Sequence, residues 1–174
     1  MVPIIGIVGP EKKSIRLANA INVAFFLLTR ESTIDKPKYD IRYIKEGKSK
    51  VLEVCTGETL IGKNMIMNRR FDKSLEAVTE MLESHFGSAC FIDSLLDGFN
   101  SSCMWVIPDV TREEEIIKIR KRNGVVISID KTNILTPCVE TLISNIDFTS
   151  NTTIVDCLMK NTKFWKTIDA NYLL

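Results

Sequence analysis

A chain of 174 residues is long enough to bury a core of its own and short enough to form one domain. With 45% hydrophobic and 26% charged residues it is neither disordered nor fibrous. A net charge of +1 supplies no overall basic field, which argues against nucleic acid or an anionic membrane surface as partner and leaves only local basic clusters for phosphate.

In chain order, Val2 to Val8 is an apolar run with Ile4, Ile5 and Ile7, which suits a strand covered on both faces, as in a parallel sheet. From Ser14, the residues Ile15, Leu17, Ala18, Ile21, Ala24, Phe25 and Leu28 recur at helical spacing, with Ser14 read as the N-cap. Between strand and helix stands "GPEKKS". A nucleotide-binding loop needs glycine, four residues, then Gly-Lys-Ser/Thr, so that backbone N–H groups cradle phosphate. Counted from Gly9, Lys13 comes two residues early. Counted from Gly6, Lys12 is at the right distance, but Glu11 stands in place of glycine and Lys13 in place of the hydroxyl.

"KYDIRYIKEGKSKVLEVC" alternates at Tyr39, Ile41 and Tyr43 and passes a Lys-Glu-Gly-Lys turn before Val51, Leu52 and Val54. It reads as a β-hairpin, or as a strand followed by an irregular loop. "DKSLEAVTEMLESHFG" reads as a helix capped by Asp72 and stopped at Gly87, and a short helix follows over Ala89 to Asp97. "CMWVIPDV" is a second apolar strand, ending at Pro108 and Asp109. "TREEEIIKIRKRNG" is a helix capped by Thr111, acidic at its start and basic at its end, as the helix dipole favours. "VVISID" is a further strand; another is expected near Ile146 to Phe148 and a helix near Thr153 to Lys163. Alternating strands and helices predict an α/β fold, a mainly parallel sheet flanked by helices, in a single domain over residues 1 to 174.

The five cysteines lack any CxxC or CxxH spacing, so they read as reduced, mostly buried thiols in a cytoplasmic protein and not as zinc ligands. Met1 leads into the first strand with no basic n-region, which reads as no signal peptide. The run "VAFFLL" is too short to span a bilayer, so no membrane is expected. The one histidine, His85, sits where it would complement a helix C-terminus, and Phe164 and Trp165 read as core anchors or an interface patch.

The block Trp105 to Asp130, "WVIPDVTREEEIIKIRKRNGVVISID", is the most specific stretch. With "FGSACFIDSLLDGF" before it, it resembles the matching segment of deoxynucleoside monophosphate kinases of the P-loop kinase fold, and more distantly phosphomevalonate kinase. The resemblance implies ATP and Mg²⁺ as cofactors of an active member. It implies Gly9, Lys12, Lys13 and Ser14 at the phosphates and metal, with Lys13, Asp109 and Arg112 as catalytic candidates. Arg69 and Arg70, within "KNMIMNRRFDK", would bind a monophosphate substrate. The plainer alternatives are that Asp109 and Arg112 are turn and first-turn residues, and that Lys63, Arg69, Arg70 and Lys73 form a solvated loop.

Against an active member stand three substitutions. Pro10 removes one N–H donor, and Glu11 puts a negative charge where polyphosphate would lie, a repulsion of about 1 kcal/mol in water and more in a dry cleft. The stretch "KTNILTPCVETLISN", which aligns with the family's arginine-rich lid, holds Lys131 and no arginine. Two readings follow: a degenerate, non-catalytic relative kept as a binding or assembly module, with a protein partner or as a homo-oligomer, or an active kinase acting on a (deoxy)nucleoside monophosphate. The loop over residues 9 to 14 is expected to be a tight turn with Lys12 and Lys13 facing solvent or a lone anion. The isoleucine-, asparagine- and lysine-rich composition suits an AT-rich genome such as that of a virus or phage.

Overall fold

The computed structural model describes residues 4–28, 38–56, 69–99, 103–143 and 145–168. They fall into two compact units, one formed by the two ends of the chain and the other by residues 43–99.

The larger unit is an α/β sheet of five strands, all parallel: β1 (Ile4–Val8), β2 (Lys38–Ile41), β3 (Cys103–Val110), β4 (Val125–Ser128) and β5 (Thr141–Leu142), in the order β2-β3-β1-β4-β5. Every residue of β1 is buried, as a strand needs to be when helices cover both faces. Ile5 and Ile7 face a core built with α1 (Glu11–Leu28), α6 (Asn151–Met159) and α7 (Thr162–Thr167), where Leu17, Ile21, Ile154, Leu158 and Phe164 are fully buried. Gly6 faces the other way, towards α5 (Glu113–Lys121). A β-carbon there would lie 2.8 Å from Ile119 Cδ1, so the strand is thin where the helix side chain is bulky.

Several boundaries differ from the sequence reading. Helix α1 begins at Glu11, three residues before Ser14; the first turn runs on Pro10, whose carbonyl accepts from both Lys13 and Ser14 N–H at 2.9 Å. Proline suits that entry because its φ is already helical and it has no donor to leave unpaired. Strand β3 does not end at Pro108. Gly6 pairs with Ile107 and Val8 with Val110, so β3 carries one extra residue there, a bulge. A proline inside a central strand is tolerated at such a bulge, where the ladder is already interrupted. Ile146 to Phe148 is not a strand, because Arg16 Nη1 takes the Phe148 carbonyl at 2.7 Å. The tail helix is two helices, capped by Ser150, which accepts from Thr153 N–H at 3.0 Å, and by Asn161, which accepts from Phe164 N–H at 2.9 Å. Phe164 and Trp165 are core anchors: their rings meet edge-on at 4.8 Å and Trp165 Nε1 donates to Leu158 O.

The expected hairpin is a strand followed by a helix, α2 (Ile44–Thr56), the first element of the smaller unit. Glu46 Oε1 reaches back to Tyr43 N–H at 3.1 Å and starts the helix, an N-terminal contact of capping-box kind. Gly47 is no turn residue. It marks the crossing of α2 with α4 (Cys90–Leu96), so close that a β-carbon would overlap the Phe91 carbonyl and lie 3.0 Å from Leu95 N. Between them runs α3 (Arg69–Phe86), which starts three residues ahead of Asp72. His85 Nδ1 lies 3.2 Å from Met81 O in its last turn, and Gly87 follows at φ +83°. The cysteines with described side chains (Cys90, Cys103, Cys138 and Cys157) form no disulfide and are half-buried, not fully buried.

Truncating Leu17 to alanine should lower unfolding free energy by about 2–5 kcal/mol, because its side chain is fully buried under the sheet. Gly124→Ala should cost a similar amount by the opposite route, overpacking, since a β-carbon would sit 2.7 Å from Ile4 O and 2.9 Å from Ile119 O, backbone atoms that cannot swing aside. Urea unfolding of the two variants measures both effects; a wild-type midpoint for either contradicts the packing described.

Candidate functional site

Connections diverge around β1. From it the chain passes to the β2 edge and returns to β3, then crosses to β4 on the other side of β1. Right-handed crossovers therefore carry α1 and α5 to opposite faces, and such a divergence leaves a crevice outside the carboxyl ends of the strands, where open α/β sheets bind ligands. Three turns meet at that edge: Gly9-Pro10 after β1, Asp109 to Arg112 around the end of β3, and Ile129 to Thr136 after β4.

The first turn is two residues long. Gly9 has φ +156°, a backbone state that L side chains rarely adopt. The last pair of the β1–β4 ladder, Val8 with Ser128, is closed by Ile129 N–H donating to Val8 O at 3.1 Å, and the Ile129 side chain then lies against Gly9. A β-carbon on Gly9 would overlap Ile129 Cγ1 and lie 3.0 Å from its Cδ1 and 3.4 Å from Ser14 Oγ. Ser14 is fully buried, and its hydroxyl has no hydrogen-bond partner. It is an interior helix residue and not a cap. Lys12 and Lys13 are exposed. Lys13 Nζ stands 5.5 Å from the centre of the Phe148 ring, and Lys13 helps to hold the Asp130 carboxyl below its ordinary range, after the stronger contributions of Thr132 N–H and Oγ1.

The second turn starts α5. Arg112, not Thr111, is the N-cap. Glu115, only 4% exposed, reaches back, its Oε2 accepting from Thr111 N–H at 2.7 Å and Arg112 N–H at 3.0 Å. Burial pushes the Glu115 carboxyl up; those N–H groups and the Arg112 charge pull it down, and Asp109 raises it further. Asp109, Arg112 and Glu115 thus share one electrostatic neighbourhood, with Asp109 and Arg112 half-buried. The bulge at Pro108 is what sets Asp109 there, since one extra residue reverses the face that follows.

The third turn is knotted. Ser128, fully buried, donates its hydroxyl to Asp130 O at 3.0 Å and accepts from Asp130 N–H at 3.2 Å, and Thr136 Oγ1 donates to the same carbonyl at 2.5 Å. Farther on, Arg120 of α5 binds Glu140 Oε1 and Cys138 O at 2.5 and 2.6 Å, and Glu140 Oε2 accepts from Val126 N–H. The segment after β4 is therefore fastened to the sheet and supplies its edge strand β5.

Arg69 and Arg70 lie in the first turn of α3, in the smaller unit, and Lys73 follows in the same helix; they are not in a loop. Lys63 lies outside the described residues. Among the described residues there is no group of three or more histidine, cysteine, aspartate or glutamate side chains placed to hold a metal ion. No helix there is long and apolar enough to cross a membrane. Sequence reasoning missed Ile129, whose signal was only indirect: Gly9 lacks a side chain where a neighbouring strand must pass. Against known proteins, the chain matches no family model, no curated protein and no solved structure.

A nucleoside triphosphate with Mg²⁺ does not fit these residues. The orphaned Ser14 hydroxyl is of the right kind to meet it, but the N–H groups of Lys13 and Ser14 are already bonded to Pro10 O, and Ile129 covers the glycine.

Because burial raises the folded Glu115 pKa, its contribution is most favourable at low pH and is lost as pH rises through the folded value. Glu115→Gln keeps an acceptor for the two N–H groups without that charge. Relative to wild type the variant should therefore gain stability from pH 4 to pH 7, measured by urea unfolding; a constant difference contradicts the burial argument. Glu115→Ala, which strands both N–H groups, should cost about 1–2 kcal/mol.

Proposed function

We propose that this chain is a degenerate nucleoside monophosphate kinase-like protein, without phosphoryl transfer, kept as a binding or assembly module for a protein partner or a second copy of itself. The observation that carries the reading is the two-residue turn from β1 to α1. Phosphate is cradled by successive N–H groups converging on one cluster of oxygens, and this turn offers no arc of that kind. The fastened segment after β4 supports the same reading, because it brings one lysine, Lys131, and no arginine to neutralise charge on a transferred phosphoryl group.

The alternative, an active ATP-dependent kinase for a (deoxy)nucleoside monophosphate, draws on one observation. Asp109 and Arg112 share a half-buried neighbourhood at the end of β3, and a carboxylate beside a guanidinium suits a hydroxyl- and phosphate-bearing substrate.

Thermal melts with ATP·Mg²⁺ and with each monophosphate at millimolar concentration, run beside a phosphoryl-transfer assay, separate the two. A ligand at a hundred times its Kd would stabilise the fold by about 2.7 kcal/mol. The expected result is no shift with ATP·Mg²⁺ and no transfer. Transfer that collapses when Lys12 and Lys13 are both changed to alanine would establish the kinase instead.

A further inference from the structure

We infer that Ile129 is a built-in plug: its side chain occupies, over Gly9 and beside the buried Ser14 hydroxyl, the space in which a phosphate group would otherwise lie at the start of α1. The inference rests on the proposed loss of phosphoryl transfer and adds what closes the site and what would reopen it.

Three observations converge on it. Gly9 faces Ile129 Cγ1 and Cδ1 so closely that not even a methyl group fits between them. Ser14 Oγ, fully buried and without a partner, lies 3.4 Å from the same β-carbon position of Gly9 that Ile129 Cγ1 overlaps. A buried hydroxyl with no partner carries a desolvation cost that a bound oxygen would relieve, so the pocket's chemistry is polar while its occupant is apolar. The plug is also held in place. Ile129 N–H is bonded to Val8 O on one side, and on the other the next residue is tied by Ser128 and Thr136. These bonds fix the backbone on which the Ile129 side chain is carried, so the side chain clears Gly9 by a change of rotamer or by loss of the Val8 O bond. Asp130, next in sequence, sets a carboxylate near Lys13, which gives that ammonium an internal counter-charge.

The ligand class that would enter is a small polyanion, and inorganic pyrophosphate is the probe. Ile129→Ala removes Cγ1, Cγ2 and Cδ1 from a half-buried position. The variant should bind pyrophosphate about tenfold or more tighter than wild type by calorimetry. The amide signals of Gly9 and of Glu11 to Ser14 should shift in a ¹⁵N titration of the variant alone. Ile134→Ala, an exposed change in the same connection, should leave binding as in wild type. Equal affinity of wild type and Ile129→Ala, strong or absent, overturns the plug and leaves the loss of phosphoryl transfer standing. Should Ile129→Ala fail to fold, the wild-type protein still decides: an Ile129 δ1 methyl signal that holds its place, and its contact to Gly9 Hα, through the pyrophosphate titration supports the plug. A methyl signal that moves, with loss of that contact, refutes it.

Discussion

The larger unit depends on the confinement of β1. The strand is paired on both edges, to β3 and to β4, and covered on both faces, so each of its residues has a size fixed from outside. Isoleucine fills the α1 side, where Leu17 and Ile21 leave room, and glycine is needed at Gly6, where Ile119 of α5 already takes the volume. The same confinement governs how the strand leaves the sheet. With Val8 paired to Ser128 and Ile129 lying against Gly9, the chain turns at once into α1 after Val8. The covered glycine and the short turn lie at the end of that pairing, and the early start of α1 places Ser14 inside the helix.

Much of this was legible in the residues, for reasons that differ along the chain. The strands β1, β3 and β4 are short apolar runs bounded by turn residues, a pattern with few other uses in a chain of alternating helices. Helix α5 was legible because its charges run acid to base along the dipole, although the left-handed residue that ends it is Asn123, at φ +58°, and not Gly124. The stretch after Tyr43 was misread because its glycine sits between charged residues like a turn. In space that glycine is the only residue small enough for α2 to touch α4, while Ile44, Gly47, Val51 and Cys55 repeat at helical spacing. Ser14 looked like a cap because a hydroxyl before an apolar helical run commonly is one. Pro10 moved the start earlier and left the hydroxyl inside.

The candidate site was legible in its parts and not in its assembly. Gly9, Lys13, Asp109 and Arg112 could be picked out as residue types at strand ends, yet their arrangement depends on a one-residue bulge at Pro108 and on Ile129 lying against Gly9. Neither leaves a mark in composition or periodicity. Glu115 shows the same limit: as one of three acids at a helix start it looks like a solvated charge, whereas it is the buried acceptor that begins the helix.

The position of β1 in the sheet also bears on how the chain comes to be folded. Ile4 finds Trp105 across a separation of about a hundred residues, and its other neighbour comes later still. β1 thus gains its two neighbours only long after it is made, and closing so large a loop costs entropy before any ladder bond repays it. During synthesis β1 and the apolar face of α1 must wait, exposed, until β3 and then β4 emerge. For this chain the vulnerable period is one of order of appearance, and its most apolar strand is the one that waits longest.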